Sequence, residues 1–484
     1  MDPSTASWRT LVPEVQAMIL KEMSQSEGCA HAAAVCREWQ EVLEPVNFSR
    51  ITLTVRRLTK FRNVTRRWRH LVKYIWLRID LQEYDCPDCK SSPEPIWMER
   101  NMDIIRSAIH DALEILSTWE AAGELCLDIS VHSPSDSRHY FKDVHFGPDV
   151  VPASGSLLNS SDFHDPTHGW LNSRRTFPRR SILRQCLERL GGFNITPDLD
   201  FFQQLPPVGA ITSLLLRRQT RYSWGTELVE ELVKHLPRLQ AIHLEPWKEL
   251  ESRTQEWQDF DVQRLFKQVL PSQLKKIILF EDFNEYYQHA IGESDGYVDT
   301  RTPSVGISRA LANTSLNLEK LSAAFMIDAR HFFEARMSDW AWRNLTGIAL
   351  TSLVLVPDGG AQTRSLLREA AAAALGMPIL RCMEIWNGGR GIACVFRFQV
   401  SEDHEPRSAT ITWRGNWECP LDCPTIQYWQ KTANERCREL RVVKELLDGD
   451  AVIRSHGDAI HRLQLVNEVA RPVSLWQIGR ETSQ

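Results

Sequence analysis

The first hydrophobic pattern along the chain predicts two short amphipathic helices. In the first, apolar residues recur every four positions and share one face: Leu11, Val15, Ile19 and Met23. The second carries its apolar positions at Val35, Trp39, Val42 and Leu43. Pro45 is expected to end this helix, because proline disfavours helical backbone in the residue before it. Two helices this small bury little area, so they either pack on the rest of the chain or keep an apolar face for a partner.

A strand–helix unit recurs through the middle of the chain. It consists of a helix, a turn and a short strand of the type L-x-x-L-x-L, with strand segments beginning at Ile211, Leu239, Leu274, Leu318, Leu353 and Leu380. From residue 239 onward the starts are separated by 35, 44, 35 and 27 residues. Regular leucine-rich repeats are shorter, at about 20–29 residues. The pattern therefore predicts an irregular, leucine-rich-repeat-like α/β array.

The physics of parallel strands favours such an array. Each strand needs a long, usually helical, crossover to the next, and right-handed crossovers stack the units into a curved sheet. A doubly wound α/β domain shares this alternation and is the alternative. Two later segments, Ala393–Val400 and Ala409–Trp413, read as strands without a helix between them. They are expected to be antiparallel and to cap the array.

These patterns divide the chain into five parts. They are a helical module at 1–48, a first group of strand–helix units at 49–131, a polar loop at 132–180, the irregular array at 181–390 and an α+β cap at 391–484. A loop as long as the third part is usually functional or disordered.

Composition is that of a globular protein, with 43% hydrophobic and 25% charged residues in 484. The net charge of -5 is small for this length, so no overall field points to nucleic acid or to an anionic membrane. No apolar run is long enough to span a membrane. The first residues lack the features of a secretory leader, which predicts a cytoplasmic or nuclear protein. The 11 cysteines are scattered, as is typical of reduced thiols.

The N-terminal helical module resembles an F-box, the module that docks on the Skp-type adaptor of cullin ubiquitin ligases. The resemblance rests on three stretches in order: Leu11-Val12-Pro13-Glu14-Val15, Ile19-Leu20 and Val35-Cys36-Arg37-Glu38-Trp39. The segment that follows, EPVNFSRITL, is similar to fungal F-box proteins at the point where the chain enters a first strand. In such proteins the remainder is commonly a leucine-rich-repeat-like α/β array.

The resemblance implies a substrate-recognition subunit of an SCF ubiquitin ligase. The module would bind the Skp-type adaptor, and through it a cullin scaffold, while the array would bind a protein client. The adaptor-binding residues implied are Leu11, Pro13, Glu14, Val15, Ile19, Leu20, Val35, Cys36 and Trp39. No cofactor, metal or membrane partner is implied, and the chain would not itself be an enzyme.

A basic segment suggests an alternative function. It is predicted as an amphipathic helix whose outer face carries Arg56, Arg57, Lys60, Arg62, Arg66, Arg67, Arg69 and Lys73. Nucleic-acid binding is one interpretation, because clustered cations neutralise phosphates. The chain has no nucleic-acid-binding motif, so a solvated face is the favoured interpretation.

Cysteines and histidines suggest metal only weakly. Cys86 and Cys89 form a C-x-x-C pair, and the only comparable second pair, Cys419 and Cys423, lies over 300 residues away. Buried or turn thiols are the favoured interpretation. The polar loop also carries His139, His145, His164 and His168. They lack the i, i+4 spacing of helical ligands, so they are expected to belong to a solvent-exposed loop.

The C-terminal region holds the only candidate for acid–base chemistry. His456, Asp458 and His461 lie within six residues and would serve an unrecognised hydrolase or transferase. The favoured interpretation is that Ser455 or Asp458 caps a helix. Searches for phosphate-binding loops, nucleophile elbows, zinc-protease and kinase motifs find none in the sequence.

Overall fold

The protein has an α/β fold built on one large, mostly parallel sheet, which confirms the predicted class. The computed structural model describes residues 8–24, 29–64, 67–152, 164–249, 251–284, 287, 301–401, 408–418, 421–437, 439–448 and 452–482. Cys419 lies outside these residues, so the predicted second cysteine pair is not described.

In the described part of the chain, twelve strands form the central sheet and lie in it in chain order. From β1 to β12 they are Arg50–Thr54, Tyr74–Asp80, Cys126–His132, Ser213–Leu216, Ala241–Leu244, Lys276–Phe280, Lys320–Ala324, Gly347–Thr351, Cys382–Gly389, Ile392–Ser401, Ser408–Gly415 and Glu439–Leu446. Strands β1 to β9 are parallel, β10 is antiparallel to both of its neighbours, and β12 is parallel to β11.

Helices fill most of the connections between these strands. From α1 to α14 the described α-helices are Pro13–Ser24, Arg37–Asn47, Val55–Val64, Pro95–Ser117, Arg180–Gly191, Leu199–Gln204, Thr226–His235, Ser252–Gln268, Val305–Thr314, Ala329–Glu334, Gly360–Ala374, Cys423–Asn434, His456–Leu463 and Pro472–Thr482. None of the helices in the described part of the chain is long and apolar enough to cross a membrane.

The strand order decides between the two predicted topologies. A doubly wound sheet reverses its order at a switch point, whereas this sheet keeps chain order from its first strand to its last. Alternate strand residues then face one helical layer: Ile75 and Leu77 of β2 join a core with Ile105 of α4. Tyr74 and Trp76 face the opposite side. The sheet is singly wound, and the doubly wound alternative is wrong.

The last two helices lie on that opposite side of the sheet. Ala459 of α13 and Ile478 of α14 pack in a second core with Phe280 of β6 and Trp386 of β9. The antiparallel strands β10 and β11 are those predicted as the start of a C-terminal cap, and they extend the sheet. The C-terminal region therefore both lengthens the sheet and covers part of its second face.

One predicted strand is wrong. The apolar run at Leu353 is a turn, and the strand lies earlier, at Gly347–Thr351. The buried carboxylate of Asp328 explains the difference. It accepts the Leu353 N–H at 2.9 Å and the Ser352 hydroxyl at 2.6 Å, and these contacts turn the chain out of the sheet.

Two helix ends also differ from the predictions. The second helix continues two residues beyond Pro45, to Asn47, because a proline in the last turn removes only one hydrogen bond. The basic helix ends at Val64 and is followed by a separate short helix at Arg69–Leu71. The described parts of the predicted polar loop contain short 3-10 helices and a pair of two-residue strands, and residues 153–163 lie outside the described chain.

Candidate functional site

The N-terminal module has a small interior of its own. Leu20 of α1 and Leu43 of α2 are almost fully buried, and neither belongs to the main core that begins at Leu53. The rings of Trp8 and Trp39 pack edge to face, with centroids 4.9 Å apart. The two helices therefore hold each other through a few internal contacts and do not merge with the helical layer of the sheet.

The module exposes several large apolar side chains among its charged ones. We call the N-terminal apolar face the large hydrophobic side chains that the module leaves exposed: Val12, Val15, Met18, Ile19, Val35, Val42 and Val46. Those on α1 recur at steps of three and four residues, so they form one stripe along the helix. Met18 is 70% exposed and Val35 is 64% exposed. Clustered exposed apolar side chains usually mark an interaction surface.

The residues implied by the F-box resemblance take two different places. Exposed members are Pro13, Glu14, Val15, Ile19, Val35 and Cys36. Leu20 is buried inside the module, and Leu11 and Trp39 are partly buried. Leu20 therefore lies in the interior of the module, whereas the exposed members are accessible at its surface. The sequence prediction omitted Met18, although its spacing of three residues from Val15 places it on the same stripe.

An aromatic contact joins the module to the sheet. Phe48, at the end of α2, stacks on Trp68 with ring centroids 4.6 Å apart. The Trp68 indole N–H donates to the Glu44 carboxylate at 3.3 Å. Phe48 lies on the connection between α2 and β1 and Trp68 on the connection between α3 and β2, so the contact joins the module to the first strand–helix unit.

The basic segment does not form one continuous face. Arg62 pairs with Glu114 of α4 at 2.9 Å, and both side chains are about half exposed. Arg69 lies over the Trp119 ring at 5.6 Å and donates to the Thr118 carbonyl at 3.3 Å. These contacts pair the two arginines with groups of the same chain. Arg66 lies outside the described residues.

The C-terminal acid–base candidates separate into three roles. His456 is buried, and its Nε2 lies 2.8 Å from Asp282 Oδ1. The Asp458 carboxylate accepts the Arg454 N–H at 3.0 Å, and His461 is exposed. Ser455 caps α13 by accepting the Asp458 N–H, as predicted.

Four predicted loop or turn residues meet at one point instead. One ligand atom each from Cys86, Cys89, His139 and His168 lies within 4.8 Å of all the others. Cys86 is exposed, whereas Cys89 and His168 are buried. Asp165 Oδ2 lies 2.7 Å from His168 Nδ1. The expectation of a solvent-exposed histidine loop is wrong for His168, because the segment folds back onto the C-x-x-C turn; His164 is exposed as expected.

Buried charges fasten the C-terminal helix to the carboxyl edge of the sheet. The Glu481 carboxylate of α14 accepts hydrogen bonds from Arg218, at 2.9 and 3.2 Å, and from Arg221, at 2.8 Å. Arg218 also pairs with Asp282, which bonds to His456. Burial alone would raise the pKa of Glu481, but the two guanidinium groups hold that pKa well below its usual value. The carboxylate therefore stays ionised inside the protein.

A cavity of about 320 Å³ opens beside this network at the carboxyl ends of β4, β5 and β6. Its lining includes Arg221, Trp247, Phe283 and Glu249. Burial raises the pKa of Glu249 to about 7, and the neighbouring carboxylate of Glu281 adds to this increase, while a hydrogen bond with Ser223 opposes it. The cavity thus holds a carboxyl group that titrates near neutral pH.

Glu249→Gln is expected to change how stability depends on pH. The folded state raises this pKa from 4.5 to about 7, so stability from this group is present at low pH and is lost as pH rises towards 7. Between pH 5 and pH 8, the free energy of unfolding of the variant should rise by on the order of 2 kcal/mol relative to that of the wild type. Urea unfolding at both pH values measures this gain. The exposed neighbour Glu251→Gln is the control, and an equal response of both variants would contradict the assignment.

Comparison with known families gives a match for part of the array. Residues 269–471 fit the model of a family described as a family of unknown function (DUF6546). The matched stretch begins just after α8 and ends just before α14, so it contains β6 to β12 and α13. The N-terminal module and the cysteine–histidine cluster lie outside it. No curated protein matches the chain.

Proposed function

We propose that this chain is the substrate-recognition subunit of a cullin-type ubiquitin ligase, and that its N-terminal module binds a Skp-type adaptor. The observation that supports this most is the N-terminal apolar face, which lies on a module that resembles an F-box and has its own small interior. An isolated domain would gain by burying Met18 and Val35, whereas a docking module needs them exposed.

The mechanism is proximity and not chemistry by this chain. The adaptor and the cullin scaffold would hold the chain, and the chain would hold a protein client beside a ubiquitin-conjugating enzyme. Holding the client raises the effective concentration of its lysines at the reacting thioester. This role needs two binding surfaces that can be occupied together, and it needs neither a cofactor nor a catalytic residue in this chain. It would be carried out in the cytoplasm or the nucleus.

We place the client surface at the carboxyl edge of the sheet. The C-terminal helices cover much of the face opposite the main helical layer, through contacts such as Ser474 to Glu245 at 2.5 Å. The loops at the carboxyl ends of β4 to β6 stay open around the 320 Å³ cavity. Loops on a rigid scaffold are common binding surfaces. Trp247 and Phe283 would supply apolar contacts there.

Proximity labelling in cells tests the two-surface arrangement. The full chain fused to a labelling enzyme should mark the Skp-type adaptor, a cullin and a set of client proteins. The Met18→Glu, Val35→Glu variant should lose the adaptor and cullin marks and keep the client marks, because the substituted residues lie on the N-terminal module only. Adaptor labelling that is the same in both chains would contradict the proposed role.

A further inference from the structure

The C-x-x-C turn and two distant histidines form a compact set of metal-binding atoms. Cys86 Sγ lies 3.2 Å from His168 Nε2, and His139 Nδ1 also lies 3.2 Å from that nitrogen. The largest separation within the set of four is 4.8 Å. A tetrahedral zinc ion with two sulfur and two nitrogen ligands needs ligand–ligand distances of about 3.3–3.8 Å. The set therefore matches the size of a zinc coordination shell to within small side-chain adjustments.

Two hydrogen-bonded turns of the backbone position the cysteine pair and His168. Cys86 and Cys89 flank a tight turn in which the Cys89 N–H donates to the Cys86 carbonyl at 3.4 Å, so both sulfurs project from one turn. His168 belongs to a turn closed by the pair Asp165 and Trp170, whose backbones exchange hydrogen bonds of 2.8 and 3.0 Å. Gly169 follows in the left-handed region, with φ of 74°. Both turns are held by hydrogen bonds of their own.

A second layer of contacts orients both imidazole rings. The Asp165 carboxylate accepts the His168 Nδ1 proton at 2.7 Å and is itself held by Lys142 at 3.0 Å. The Nε2 lone pair of His168 then points into the set. The His139 ring hydrogen-bonds the backbone of Tyr84 and stacks on its ring, with centroids 5.5 Å apart. Carboxylate and carbonyl partners of this kind accompany most metal-binding histidines.

We propose that Cys86, Cys89, His139 and His168 bind one structural zinc ion. Two thiolates and two imidazoles in a tetrahedral arrangement suit zinc, and four protein ligands leave no open position for catalysis. The site joins the connection after β2, the connection after β3 and the turn at residues 165–170. Cys86 and His168 are 82 residues apart, so one ion would close a long loop and stabilise the surrounding segment.

A third thiol beside the site supplies a matched control. Cys186 is buried, and its thiol donates to the Cys89 carbonyl at 3.2 Å, but it is not one of the four converging ligands. Replacing it with serine removes a nearby sulfur and keeps the ligand set. Replacing Cys86 and Cys89 with serine removes two of the four ligands.

Metal analysis of the purified full chain tests the proposal. Purified without chelator, the wild type and Cys186→Ser should each carry about one zinc ion per chain, and the Cys86→Ser, Cys89→Ser variant should carry almost none. Exchange of cobalt into the wild type gives a readout that needs no variant. It should produce the intense visible bands of a tetrahedral site together with a thiolate charge-transfer band.

Three results would overturn the zinc assignment. One is a wild-type chain that holds no zinc after incubation with zinc chloride and desalting. Another is a Cys86–Cys89 disulfide in protein kept under reducing conditions, which would make the pair a redox centre. The last is loss of zinc from Cys186→Ser equal to the loss from the double variant. If the double variant does not fold, the cobalt spectrum of the His139→Ala variant is measured instead. This change removes one proposed ligand and leaves both thiolates intact.

Discussion

Replacing Met18 and Val35 with glutamate is expected to weaken adaptor binding at least about 100-fold while the chain stays folded. Both side chains are mostly exposed, so the folded chain loses little when they change. In the complex, each new carboxylate would lie unpaired against an apolar adaptor surface. Burying an unpaired charge costs several kcal/mol, and this cost falls on the complex alone. Calorimetric titration of purified adaptor into each variant measures the loss.

The structure also supplies the control for this experiment. Met337 and Val452 are as exposed as the two substituted residues, at 61% and 69%, but they lie far along the chain from the module. Their replacement with glutamate adds the same charge and should leave adaptor affinity within about twofold of the wild type. Leu20→Ala is a poor test, because Leu20 is buried and its loss would disrupt the module itself. Equal affinity of the test and control variants would show that docking uses another surface.

Glu481→Ala is expected to cost about 3–5 kcal/mol of folding free energy. The change leaves the guanidinium groups of Arg218 and Arg221 buried without their shared carboxylate. It also removes the hydrogen bonds that tie α14 to Arg218 and Arg221, which follow β4 at the carboxyl edge of the sheet. Because the pKa of Glu481 is lowered, the contribution persists at neutral pH and is lost only in strongly acid solution. Urea unfolding at pH 7 measures the cost.

An exposed ion pair gives the comparison for this buried one. Glu114→Ala removes the partner of Arg62, and both of these side chains are about half exposed to water. Solvent screens such a pair, so the expected cost is below about 1 kcal/mol. A Glu481→Ala cost in the same low range would contradict the view that this network holds the C-terminal helix in place.

Much of the sheet could be predicted from the spacing of leucines. Leu239, Leu274 and Leu318 each lie two residues before an observed strand, and each is buried. The sequence signal worked there because a buried parallel strand must be apolar and must follow a helix. It failed at Leu353, where the run is equally apolar but a distant carboxylate, Asp328, takes the backbone N–H.

The cysteine–histidine cluster could not be predicted in the same way. Its cysteines lie on the connection after β2 and its histidines on the connection after β3, so their distance in space depends on how these connections fold back on the sheet. A search for helical i, i+4 spacing or for a second C-x-x-C pair cannot find such a site. One local signal was present: Asp165 precedes His168 by three residues, which suits a carboxylate that orients a ligand histidine. The proposed docking residues could be named from the sequence because they lie within a single short module, and their role stays a prediction.

Titration of purified Skp-type adaptor into the purified full chain tests the central proposal most directly. We expect a complex of one adaptor to one chain with a dissociation constant below about 1 μM, because several apolar anchors would be buried together. The same titration into the Met18→Glu, Val35→Glu variant should require roughly 100-fold more adaptor. Absence of binding by the wild-type chain at adaptor concentrations of about 100 μM would contradict the proposed function.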